Sequence, residues 1–180
     1  MNDKVLPSSL IQENHQELLL KFPKDFYIEA KTYLSDKEIR LIRKAYTFAH
    51  EAHKGQKRKD GADYITHPTA VAMVLLELGM DADSICAGFM HDVLEDCDVQ
   101  KANLEKLFNK DIANIVDGVS KLGKIALEDK AERNANNFQK MALAMANDVR
   151  VIVVKLCDRL HNMRTISHLP RYKQVYICKE

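Results

Sequence analysis

Apolar positions recur at helical spacing along most of the chain. Ser35 and Glu38 form an S-x-x-E capping box ahead of Ile39, Ile42, Tyr46 and Ala49, which share one face of a helix that Gly55 stops. A polar loop, 55–66, follows. Thr66 is placed to cap the next helix, and Pro68 sits in its first turn, where a missing N–H costs nothing. Val71, Val74, Leu75 and Leu78 give that helix a buried stripe, and Gly79 ends it. Asp81 caps a third helix expected to reach about Val93.

Leu104, Leu107 and Phe108 mark a short helix, and Ile112, Ile115, Val116 and Val119 mark another, with Gly118 and Gly123 loosening the join after it. A longer helix is expected over 130–146, burying Phe138, Met141, Ala142 and Met145. Asp148 caps a last long helix to about Arg164. Its run Val151–Val154 is β-branched, but Ile152, Leu156, Leu160 and Met163 keep the helical spacing, and no second strand candidate exists to pair with it. The first 34 residues are weakly patterned and predict a short helix or two, interrupted at Pro23. The expected fold is all-α, a bundle of about seven to nine helices.

Composition supports this reading. The chain has 180 residues, which favours one domain of about 150 residues over two. It holds 6 glycines and 4 prolines, too few for a turn-rich β-sandwich. A net charge of +1 gives no global field toward nucleic acid or a membrane surface. The longest uninterrupted apolar run, Ala70 to Leu76, is far short of the ~20 residues of a membrane span. The N-terminus has no signal-peptide pattern. Cys86, Cys97, Cys157 and Cys178 form no C-x-x-C pair and read as reduced thiols of a cytoplasmic protein.

The chemistry concentrates in three places. Asp81, Asp83, Asp92, Glu95, Asp96 and Asp98 lie within 81–98 without one Lys or Arg, a density that calls for a compensating cation. On a helix, His91 and Glu95 stand one turn apart, as do Asp92 and Asp96. A solvated acidic helix end would explain Asp96 and Asp98, but not His91 and Asp92, which follow the apolar pair Phe89-Met90. His67, at the loop-to-helix junction, is the second imidazole candidate. Asp158, between Leu156 and Leu160, is a carboxylate in an apolar helix and needs a partner, either a metal or an Arg. Two imidazoles and two carboxylates without thiolate suit Mn²⁺, Fe²⁺ or Zn²⁺ and metal-assisted phosphoester hydrolysis. Asn162 and Thr165 share the Asp158 face. Lys54, Lys57, Arg58 and Lys59 supply a basic loop just before His67, which reads as an anion clamp. One short basic loop on a near-neutral chain is weak support for nucleic-acid binding.

The pattern H…HD…D, with AHKGQKRKDGADYITHP (52–68 within the longer run from Phe48), HDVLED (91–96), DGVSKLGK (117–124) and NNFQKMALAMANDVRVIVVKLCDRLHNMRT (136–165), resembles the hydrolase domain of the RelA/SpoT alarmone enzymes, a branch of the HD-domain metal-dependent phosphohydrolases. The resemblance covers about 35–180. It implies an HD helical bundle and a Mn²⁺-dependent hydrolase that removes pyrophosphate from the ribose 3′ position of (p)ppGpp, leaving GDP or GTP. It places the metal ligands on His67, His91, Asp92 and Asp158. Glu95 then orients or deprotonates the attacking water, and Asp96 assists, with leaving-group protonation as its part. Arg58 and Lys59 contact the nucleotide, and Asn162 and Thr165 line the nucleoside pocket. Two positions depart from the family pattern: Cys97 stands where Thr is usual, and Asn136 where Glu is expected. The resemblance divides the chain into an N-terminal extension (1–34), the hydrolase domain (35–165) and the start of a linker helix (166–180) leading, in the long bifunctional enzymes, toward a synthetase absent here. Two rival readings remain at this point: an HD phosphohydrolase for another nucleotide, and a domain that binds alarmone without turnover.

Overall fold

A computed structural model describes residues 22–125 and 148–178. The helix expected over 130–146, Leu18–Leu20 and Asn136 lie outside the described residues. Among those described, the fold is all-α, with no strand and a single isolated bridge, Lys57 to Asp63. The helices are α1 (Lys24–Ala30), α2 (Asp36–Ala52), α3 (Thr66–Glu77), α4 (Ala82–Met90), α5 (Val93–Asp96), α6 (Lys101–Leu107), α7 (Lys110–Ile125), α8 (Val149–Arg164) and α9 (Arg171–Ile177), with a 3-10 turn at Ile166–His168. No helix here is long and apolar enough to cross a membrane.

Local sequence explains the helix starts. The Ser35–Glu38 capping box is complete, with Ser35 N donating to Glu38 Oε2 at 2.8 Å. Asp81 accepts from Ser84 N at 2.7 Å and Asp148 from Arg150 N at 2.9 Å. Thr66 differs from its expected place. It is the first helical residue of α3 and donates its hydroxyl to Asp63 O at 2.7 Å, while Ile65 holds the cap position.

α4 is the central post. It packs against α2, α3, α7 and α8, and Ile85, Cys86, Ala87, Phe89 and Met90 are wholly buried. Phe22, Phe26, Tyr46 and Phe89 close one end of the core with edge-on and tilted ring contacts. The expected stripes of α2 and α7 are buried as read, but Leu78 is 61% exposed because α3 has already ended at Glu77. α7 runs unbroken through Gly118. The glycine serves packing rather than a join, since a Cβ there would lie 2.8 Å from Val151 Cγ2 of α8. Gly88 does the same for α4 and α3, where a Cβ would meet Leu75 Cδ1 at 2.5 Å.

One difference from the expected helices, at His91 and Asp92, and the facing of α8 bear on function. The third helix stops at Met90 and restarts at Val93, so His91 and Asp92 form a junction instead of a helical face. The Gly88 carbonyl accepts from His91 Nδ1 at 2.9 Å, a side-chain bond that competes with the helical ladder at this point. In α8 the buried face carries Val151, Ile152, Val154, Cys157 and Asp158, while Leu156, Leu160 and Met163 face outward at 58%, 40% and 43% exposure.

Candidate metal centre and nucleotide cleft

α3, the α4–α5 junction and α8 bring four side chains to one point. His67 enters from the first turn of α3, His91 and Asp92 from the junction, and Asp158 from the middle of α8. His67, His91 and Asp158 are buried, with ligand atoms all within 4.8 Å of one another. Asp158 Oδ1 lies 3.2 Å from His67 Nε2 and 3.7 Å from His91 Nε2. Asp92 Oδ2 completes the group at 3.0 Å from His91 Nε2 and 3.7 Å from His67 Nε2. In a straight helix adjacent side chains diverge. The break after Met90 is what lets His91 and Asp92 converge.

The cluster fits a divalent cation. A carbonyl can only accept, so Gly88 O fixes the His91 proton on Nδ1. His91 Nε2 is buried without a hydrogen-bond partner and faces two carboxylate oxygens. Nitrogen lone pair and carboxylates oppose one another unless a cation, either a proton or a metal ion, sits among them, and a mixed N/O donor set without thiolate suits Mn²⁺, Fe²⁺ or Zn²⁺. The electrostatics agree. Burial pushes His91 down, but the Asp92 and Asp158 carboxylates overcome it and raise the imidazole to about 10. Burial alone would raise Asp92; His91 and the Tyr64 hydroxyl hold it at about 2. Asp158 is likewise held well below the carboxylate range by His67 and His91, against its own burial. Its other oxygen pairs with Lys155 Nζ at 3.0 Å, so Lys155 takes the place of the Arg considered from sequence.

The acidic run from Asp81 is only partly directed at this point. Asp81 pairs with Arg150 at 3.2 Å, and Asp83 accepts from Asn109. Asp92, Glu95 and Asp96 remain beside the cluster. Glu95 and Asp96 are exposed at its rim on α5. Desolvation raises the Glu95 carboxyl; Lys155 opposes the shift and Asp92 adds to it.

Next to the cluster lies a cleft of about 330 Å³, lined by Lys57, Arg58, Lys59, Asp60 and Tyr64 from the loop before α3, and by Asn162, Thr165, His168 and Leu169 at the end of α8. The loop folds back on itself. Arg58 N donates to Ala62 O at 2.9 Å, and Gly61, at φ +88°, makes the turn between them. Arg58 Nη2 donates to Thr165 Oγ1 at 3.3 Å across the cleft. Asn162 Nδ2 donates to Asp158 Oδ1 at 2.8 Å, which ties cleft to cluster. The proximity of Lys173 on α9 lowers the Lys59 ammonium. The four expected ligands, Glu95, Asp96, Arg58, Lys59, Asn162 and Thr165 lie in or beside one region, and Lys57 joins them in the cleft lining, whereas Lys54 of the basic loop pairs with Glu51 at 3.2 Å and does not line the cleft.

Sequence reasoning missed Tyr64 and His161. Tyr64 stacks on His53 at 4.4 Å between centroids and touches two carboxylates, Asp92 Oδ2 at 2.7 Å and Asp96 Oδ2 at 2.9 Å. His161 Nδ1 lies 2.7 Å from His67 Nδ1. A signal existed for His161, which follows Asp158 by three residues on one helix face. None existed for Tyr64, whose contacts are set by loop geometry.

A family model for the HD domain matches residues 45–180. The chain belongs to the HD-domain family. For an HD-domain protein a divalent metal is implied, and the buried His/His/Asp group is where these residues could hold it. The chain is similar to the bifunctional (p)ppGpp synthase/hydrolase SpoT of Escherichia coli K12, at 47% identity over 150 residues, 83% of this chain and 21% of that protein. It is also similar to a probable guanosine-3′,5′-bis(diphosphate) 3′-pyrophosphohydrolase of Synechocystis, at 51% identity over 140 residues, 78% of this chain and 18% of that one. The chain thus spans about a fifth of the length of these curated relatives. A solved structure of a metazoan ortholog of SpoT, described as hydrolysing ppGpp, shares the fold with a TM-score of 0.61 at 24% identity over 80% of each chain.

Proposed function

We propose that this HD-domain protein is a cytoplasmic, Mn²⁺-dependent hydrolase of (p)ppGpp that acts at the ribose 3′ position and gives GDP or GTP plus pyrophosphate, serving stringent-response control. One observation carries the reading: α8 supplies Asp158 to the buried cluster and, one and two turns on, Asn162 and Thr165 to the basic cleft. A substrate with a nucleoside in the cleft and a phosphoryl group at the cluster fits that continuous wall. The names of the relatives supply the substrate class.

His67, His91, Asp92 and Asp158 would hold the metal. A divalent ion there supplies Lewis-acid polarisation of the phosphoryl group and lowers the pKa of water. Arg58 offers a planar guanidinium to the guanine face, and Lys59 a point charge to phosphate. Asn162 and Thr165 orient the nucleoside. Glu95, whose carboxyl desolvation raises above its ordinary value, accepts a proton from the attacking water. The water oxygen bonds to the phosphorus next to the ribose 3′ oxygen, the bond from that phosphorus to the 3′ oxygen breaks, and the proton that Glu95 took from water passes through Asp96 to the departing 3′ oxygen. Each catalytic carboxyl thus has one task, and both sit at the open rim where substrate enters.

The test is a substrate panel of ppGpp, pppGpp, GTP and deoxynucleoside triphosphates with Mn²⁺, products identified by chromatography. GDP and pyrophosphate from ppGpp, with Arg58→Ala raising KM, is the expected result. Turnover of another nucleotide in preference to ppGpp would replace the substrate and keep the hydrolase. Binding of ppGpp without any turnover would make the protein a sensing module.

A further inference from the structure

His67 reaches the cluster through Nε2, and its other ring nitrogen is occupied. His67 Nδ1 stands 2.7 Å from Nδ1 of His161, with the ring centroids 4.9 Å apart. Two imidazole nitrogens at that distance share one proton, since two donors or two lone pairs would repel. If the proton belonged to His161, His67 would carry its own on Nε2 and aim a donor into the cluster. A histidine in that tautomer cannot ligate a metal. If the proton belongs to His67 Nδ1, its Nε2 presents a lone pair, and His161 must be the neutral acceptor.

We propose that His161 is a positioning residue that sets the ligating tautomer and ring orientation of His67. The proposal rests on the metal-centre reading above and is independent of which nucleotide is hydrolysed. Such support usually comes from a carboxylate or a backbone carbonyl. Here a neutral imidazole provides it, so the ligand is oriented without adding negative charge beside Asp92 and Asp158. His161 is itself fixed. It follows Asp158 by one turn of α8, so a ligand and the support of a second ligand are carried on one rigid element. Its backbone oxygen accepts from Thr165 N at 3.1 Å and Thr165 Oγ1 at 3.0 Å. Thr165 Oγ1 in turn accepts from Arg58 Nη2. The residue that orients His67 is thereby joined to the wall of the nucleotide cleft.

The test compares wild type with His161→Leu and His161→Asn, the latter placing an amide oxygen near the lost Nδ1. Mn²⁺ affinity of the metal-stripped protein is measured by calorimetry without substrate. Losing the support of a ligating histidine costs about 10- to 100-fold in metal affinity, so Leu should raise the Mn²⁺ Kd by that factor and Asn by less than about threefold. A second readout needs no variant. Nitrogen-15 spectra of the Zn²⁺-loaded wild type, with Zn²⁺ as a diamagnetic probe, should show His67 protonated at Nδ1. A Leu variant within about twofold of the wild-type Kd would overturn the proposal. So would an Asn variant as impaired as Leu, or a His67 proton on Nε2 in the loaded protein. Wild type that binds neither ion would overturn the metal-centre reading itself, whereas absence of ppGpp turnover with these affinities as expected would leave this proposal standing.

Discussion

Replacing Tyr64 with Phe removes one oxygen and keeps the ring stacked on His53. That oxygen lies 2.7 Å from Asp92 Oδ2 and 2.9 Å from Asp96 Oδ2. It carries one proton and two carboxylates compete for it, and together with burial these charges raise the phenol far above its ordinary range. The hydroxyl therefore stays protonated and spaces a proposed metal ligand from a proposed proton donor. A hydrogen bond to a charged acceptor contributes about 1.5–3 kcal/mol. At about 1.4 kcal/mol per factor of ten, its loss corresponds to roughly a ten- to hundredfold effect. Asp96 is exposed and water can replace its contact, so most of the loss falls on Asp92. The expected result is a ten- to hundredfold fall in kcat for ppGpp with KM little changed, and a Mn²⁺ Kd raised by up to about tenfold. Metal-free thermal unfolding should hardly move, because the ring remains. Steady-state kinetics, calorimetry and a melt in EDTA check the three parts. Tyr64→Phe within about twofold of wild type in both kcat and Mn²⁺ Kd would refute the reasoning.

Other expectations follow from the same geometry. Gly88→Ala forces a Cβ to 2.5 Å from Leu75 Cδ1; overpacking costs about 1–3 kcal/mol against about 1 kcal/mol gained in helix propensity, so a urea melt should show a net loss of up to about 2 kcal/mol, and a stabilised variant would contradict the close α3–α4 approach. Val154→Ala should cost about 1.6 kcal/mol or more, at ~0.8 kcal/mol per buried carbon plus a cavity. Leu156→Gln, on the outward face of α8, should stay within about 0.5 kcal/mol in the same denaturant titration. Metal binding must expel the proton that the Asp92 and Asp158 carboxylates hold on His91, so Mn²⁺ affinity should rise with pH through the neutral range, and calorimetry in buffers of different ionisation enthalpy should record proton release. A flat affinity between pH 6 and 8 would place His91 outside the metal set.

The helices were legible because their signals are local. Ser35, Asp81 and Asp148 each cap a helix through a side-chain oxygen, and the stripes of α2 and α7 repeat at the helical period. The junction at His91 was not legible. It depends on a side-chain bond to Gly88 O that apolar periodicity does not register, and it decides the orientation of Asp92. The inward face of α8 was not legible for a related reason. Leu156, Leu160 and Met163 have helical spacing, but spacing does not say which of two apolar faces turns inward; Asp158, turned to the cluster, marks the buried one. The candidate site residues could be named from residue type and motif, and the structure brings them together. Tyr64 and His161 act through contacts between segments, 28 and 94 residues apart in sequence from Asp92 and His67, which no local pattern encodes.

The most direct test of the central claim is pyrophosphate release from ppGpp by the purified protein with Mn²⁺, with and without EDTA, beside Glu95→Gln and Asp158→Ala. Release that requires Mn²⁺, stops with EDTA and is lost in both variants, while the variants remain folded, is the predicted result. Release that persists in EDTA or in Asp158→Ala, or none from wild type carrying bound Mn²⁺ and bound ppGpp, would contradict the account.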